Sequence, residues 1–119
     1  MKVLVVGMNP GSPGKNPNKS KTLERLYTWM DEVGVQTFSF CNTFDEVGTP
    51  AMSKVDFKRL CTLTAQYDKI LALGGFVSTA LDKIDVDHFK LPHPSPLNRL
   101  LNDKQYEREI LCKCASYLR

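Results

Sequence analysis

Four short apolar runs constrain this chain more than any other feature. Each is closed by Gly, Asn or Pro, and each is followed by a stretch with helical spacing. Lys2–Val6 is a continuous β-branched run ending at Gly7, the pattern of a strand buried on both faces. Thr37–Cys41, Lys69–Leu73 and the weaker His88–Leu91 repeat the theme. Between them, Ser20 to Val33 spaces Leu23, Leu26, Tyr27 and Met30 as a helical stripe, with Ser20 as cap and Gly34 as stop. Ser53 to Gln66, capped by Ser53, and Phe76 to Lys83 predict two further helices. A last one runs from about Arg99 to Tyr117.

The order is β-α-β-α-β-α-β-α with short connections. That order implies parallel strands joined by right-handed crossovers. The expected architecture is a three-layer α/β/α sandwich with a small, about four-stranded parallel sheet, in one domain spanning 1–119. Open sheets of this kind bind ligands at the carboxyl ends of their strands. Gly7–Gly11, Asn42 and His93–Leu97 each follow a strand, so the fold gathers them on one edge.

Composition narrows the functional classes. A 42% hydrophobic content suits a chain that buries a core, and no apolar run approaches a membrane span. The apolar start runs straight into a Gly/Pro turn with no small-residue cleavage site, so it reads as a strand rather than a signal peptide. A soluble, cytoplasmic protein and no membrane partner are expected. The net charge is only +3, but Lys15, Lys19, Lys21 and Arg25 follow the first turn, while Arg99, Lys104 and Arg108 follow the last loop. Two basic patches beside two loops suit a phosphate backbone, although solvated helix faces look the same. Cys41, Cys61, Cys112 and Cys114 form no CxxC pair and read as thiols in a reducing compartment.

Three segments carry possible chemistry. In Gly7-Met8-Asn9-Pro10-Gly11 the glycines permit close approach to the backbone, and Asn9 stands at the strand end. An ordinary turn explains the same residues. A phosphate loop does not: two residues separate Gly11 from Gly14, and Asn16 follows Lys15. In Pro92-His93-Pro94-Ser95-Pro96-Leu97-Asn98-Arg99 the prolines stiffen the backbone around His93 and Ser95. With only His88 and His93 present, a multi-histidine metal site is excluded. Ser95 lacks a nucleophile-elbow pattern. In Phe38-Ser39-Phe40-Cys41-Asn42 the terminal Asn can simply cap the next turn, but its amide also offers a donor and an acceptor side by side, a pattern able to pair with a nucleobase edge.

The GMNPG turn and the HPSP loop together resemble the first and second motifs of the uracil-DNA glycosylase superfamily, closest to its single-strand-selective monofunctional and mismatch-specific branches. The resemblance covers most of the chain as topology and about fifteen residues as motif. It implies hydrolysis of the N-glycosidic bond of a flipped-out uracil or related 5-substituted uracil in DNA. Asn9 and His93 would be catalytic, Asn9 orienting the attacking water and His93 donating to the departing base. Met8, Pro10, Gly11, Asn42 and Ser95 would contact the substrate, with Asn42 reading the base edge. Lys15, Asn98 and Arg99 would hold DNA, and Leu97 would fill the gap left by the extruded base. No cofactor or metal is implied, and the protein would act on DNA as a monomer.

Two features depart from the family. It stacks the base on an aromatic residue between the first motif and the second strand, where this chain offers only Tyr27 and Trp29 on the predicted helix; Phe44 is left as the stacking candidate. The chain is also short for the family. A glycosylase-like module that binds DNA or bases without cleaving is the alternative, and a hydrolase of free modified nucleotides is a third reading.

Overall fold

A computed structural model describes residues 1–8, 17–44, 49, 51–95 and 98–119, with backbone alone for 17–20. Four strands, β1 (Val3–Gly7), β2 (Ser39–Asn42), β3 (Lys69–Leu73) and β4 (Phe89–Leu91), alternate with α1 (Pro17–Glu32), α2 (Phe57–Thr64), α3 (Gly75–Lys83) and α4 (Lys104–Leu118). All strand pairs are parallel, in the order β2-β1-β3-β4. The expected α/β fold is therefore present.

The two central strands explain the continuous apolar runs. Side chains alternate across a strand, and here both faces are covered. Val3, Val5, Leu71 and Leu73 pack with Leu26, Trp29 and Met30 of α1 and Leu111, Cys114 and Leu118 of α4. Leu4, Val6, Ile70 and Ala72 pack with Leu60 of α2 and Val77, Ala80 and Leu81 of α3. Burying one such leucine or valine contributes about 1.5–3 kcal/mol. No helix among the described residues is long and apolar enough to cross a membrane.

Three helix starts differ from the sequence expectation, and tertiary burial or a better cap explains them. α1 begins at Pro17, not Ser20. Proline's fixed φ and missing N–H suit the first helical position, where that N–H has no partner anyway. Ser53 does not cap α2. It sits in a short 3₁₀ turn, Met52–Lys54. The extended Val55 then goes into the core, and the Asp56 carboxylate accepts from the Arg59 N–H at 3.0 Å. The last helix is likewise split. A 3₁₀ turn, Arg99–Asn102, buries Leu101, and Asp103 caps α4 by accepting from Gln105 and Tyr106 N–H at 3.0 and 3.2 Å. Gly34 does end α1, in the left-handed conformation (φ 83°), and Val35 N–H reaches back to the Met30 carbonyl at 2.8 Å.

Candidate active site

Because every strand is parallel, their carboxyl ends share one edge. Gly7 ends β1 and Met8 follows it, Asn42 ends β2, Gly74 follows β3, and His93 follows β4. Asn9, Pro10, Gly11, Lys15 and Leu97 lie outside the described residues. Asn42 and His93 stand at the carboxyl ends of the two outer strands, three strand spacings apart, or about 14 Å. They are too distant to bond each other.

The β4 end is held to β3 by the Gly74 N–H, which donates to the Leu91 carbonyl at 2.8 Å. Gly74 has φ 93°, a conformation that favours glycine. A Cβ there would lie 3.7 Å from His93 Cβ and 4.0 Å from Cδ2, so the imidazole packs directly over it. Pro92 and Pro94 are buried on either side, and His93 is half-buried between them.

The Ser95 N–H donates to His93 Nδ1 at 3.2 Å. With Nδ1 accepting, the neutral ring carries its hydrogen on Nε2. Burial lowers the pKa of His93 below its usual value, which favours that neutral form. The site therefore presents an uncharged Nε2–H donor.

Asn98 braces this loop from within. Its N–H donates to the Ser95 carbonyl at 3.0 Å, its Nδ2 to the His93 carbonyl at 2.9 Å, and its Oδ1 accepts from Leu100 N–H at 3.1 Å. Its amide thus serves the loop's shape, whereas the exposed Arg99 beside it faces solvent.

At the other flank, Gly7 pairs with Asn42 and Val5 with Phe40. A Cβ on Gly7 would meet Phe40 Cζ at 2.7 Å and Asn42 Oδ1 at 3.0 Å, so the phenyl ring and the amide both lie against the bare glycine. Phe40 is nevertheless 46% exposed. The sequence reading passed over it as a site residue. The signal was present, because residues two apart on a strand share a face, and that puts Phe40 beside Asn42.

The earlier stacking candidates go elsewhere. Phe44 is 3% exposed, edge-on to Phe76 at 6.1 Å, and Trp29 is 1% exposed in the core. Tyr27, on α1, pairs with Phe38 at 5.5 Å.

Two other features are not part of this edge. His88 bridges Ser78 Oγ and the Val86 carbonyl, each at 2.8 Å, and so ties the α3–β4 connection. Asp82 lies 3.9 Å from the same Nε2 that meets Ser78, so it cannot orient the ring through Nδ1 as a triad requires. A cleft of about 300 Å³ between Lys2, Phe38 and Tyr67 opens at the amino end of the sheet. Among the described residues, no cluster of three or more His, Cys, Asp or Glu could hold a metal ion. Neither family models, nor characterised proteins, nor solved structures give a match to this chain.

Proposed function

We propose that the chain is a monofunctional DNA glycosylase that hydrolyses the N-glycosidic bond of uracil, or a related 5-substituted uracil, flipped out of DNA. The observation that carries this reading is His93: a half-buried, neutral imidazole with its donor on Nε2, on the sheet edge that also carries Asn42. As the bond from sugar to base breaks, negative charge grows on the base. A fixed Nε2–H aimed at its O2 oxygen stabilises that charge without giving up a proton.

The remaining roles are those the family resemblance implies, with Phe40 added from the structure. The Asn42 amide donates to O4 and accepts from N3–H of uracil; cytosine has the opposite order and leaves both groups unsatisfied. Phe40 offers an exposed ring for stacking, which is worth about 1–3 kcal/mol per base. Asn9 orients the water whose oxygen bonds to the sugar carbon as the base departs. Met8, Pro10 and Gly11 line the base pocket. Ser95, Arg99 and Lys15 hold phosphates, and Leu97 fills the vacated stack. No cofactor enters this chemistry. The four unbridged cysteines fit a reducing compartment such as the cytoplasm, and the protein acts on DNA as a monomer.

The test is base release from oligonucleotides bearing uracil or 5-substituted uracils, single- and double-stranded, read as alkali-labile strand breaks. His93→Ala and Asn9→Ala should each slow release about 10²–10³-fold. No release of any uracil-type base by the wild-type chain sinks the proposal. Salt-dependent DNA binding without release selects the non-cleaving module instead.

A further inference from the structure

Asn42 is the last residue of β2, and β2 is an outer strand of four residues that, among the described residues, pairs on one side only. The carboxyl end of such a strand is where fraying is expected. An amide that separates uracil from cytosine by the order of one donor and one acceptor has to be held to within about 0.5 Å and 10–20°. Something other than the sheet must hold it.

Two residues do so. Thr43 is completely buried although its side chain is polar. Its hydroxyl donates to the Met8 carbonyl, and its N–H is shared between the Gly7 and Met8 carbonyls at 2.9 and 3.1 Å. Its own carbonyl accepts from Asp56 N–H at 3.4 Å. One residue back, the Asn42 carbonyl accepts from Arg59 Nη2 at 3.0 Å. Arg59 is itself fixed at the start of α2, where its N–H meets the capping Asp56 carboxylate at 3.0 Å. The start of α2 thus grips the end of β2, and Thr43 passes that grip to β1.

The Met8 carbonyl is the acyl half of the peptide bond to Asn9. We propose that Thr43 and Arg59 are positioning residues that lock the base-reading Asn42 and the Met8 carbonyl into one register, and so set both the rate and the uracil-over-cytosine selectivity of base release. This rests on the glycosylase reading. Neither residue touches the base; Arg59 acts through the Asn42 backbone, and Thr43 through the Met8 carbonyl.

The experiment measures single-turnover release from uracil- and cytosine-containing oligonucleotides, DNA affinity and thermal melting. The proteins are the wild type, Thr43→Val, Thr43→Ser, Arg59→Met and Arg59→Lys. Valine keeps the shape of threonine and removes the hydroxyl; methionine removes the guanidinium donor. Thr43→Val and Arg59→Met should each slow uracil release at least about 10-fold with DNA affinity unchanged, since misplacement on the ångström scale costs on this order. Thr43→Ser should restore the rate, and Arg59→Met should narrow the uracil-to-cytosine ratio. Should Thr43→Val not fold, the Arg59 pair carries the test alone. Wild-type rates and ratios in folded Thr43→Val and Arg59→Met overturn the positioning role while leaving the glycosylase reading intact. Loss of rate explained wholly by lost DNA affinity also overturns it. No release by the wild-type chain overturns both.

Discussion

Gly7→Ala isolates the contact between β1 and β2 from the stability of the fold. Gly7 has no left-handed backbone, so alanine meets no φ penalty. The added methyl would stand 2.7 Å from Phe40 Cζ, where ordinary carbon contacts are about 3.5–4.0 Å. The ring tip must therefore move about 1 Å, a swing of ~15°, half of the ~30° at which a displaced rotamer costs about 0.5–1.5 kcal/mol. Phe40 is 46% exposed and has room to move. Replacing glycine by alanine also restricts the unfolded chain, which stabilises by about 0.4–1 kcal/mol. The two effects nearly cancel, so Tm should stay within about 5 °C of wild type. Function should respond differently. Asn42 Oδ1, 3.0 Å from the new methyl, must retreat by a few tenths of an ångström, and the stacking ring moves with it. Misplacement on this scale predicts a ~10–100-fold slower uracil release. Melting by circular dichroism and single-turnover release together give the answer. An alanine variant that melts normally and releases uracil at the wild-type rate refutes the role given to the Phe40–Asn42 face. A fall in Tm beyond 10 °C refutes the packing estimate.

Stability should fall in acid through His93. Burial places its pKa below the ordinary 6.5, so the unfolded chain takes up a proton that the folded chain resists. This contribution is complete above pH 6.5 and is lost as pH falls toward and through the folded value; Tm measured from pH 8 to 5 should decline less steeply in His93→Gln. Asp103→Ala removes the acceptor for two N–H groups of α4 and should cost about 1 kcal/mol, lowering Tm by roughly 3–6 °C with base release unchanged. An unchanged Tm would show that α4 does not depend on this cap.

Much of the fold was legible because it rests on local periodicity. Val3–Gly7 and, after its opening lysine, Lys69–Leu73 are apolar without alternation, as strands covered on both faces must be, and Gly34 stops α1 through its own backbone freedom. Helix starts were less legible, since they depend on which nearby residue the core claims. Burial of Val55 and Leu101 drew short 3₁₀ turns into the chain and passed the capping role to Asp56 and Asp103.

The candidate site divides the same way. Asn42 and His93 could be named from the sequence, because strand ends in a parallel sheet share an edge whatever the side chains do. Partnership between side chains is another matter. Phe40 lies exposed against Gly7 while Phe44 is buried against Phe76. Ser95 N–H sets the hydrogen of His93 on Nε2, and Asn98 is bound within its own loop. Thr43 and Arg59 reach Met8 and Asn42 across 35 and 17 residues of chain. Order along the chain determined the strands and the edge they share. Contacts between residues distant in sequence decided which groups on that edge are free to act, because only packing in three dimensions brings donors, acceptors and apolar surfaces into reach of one another.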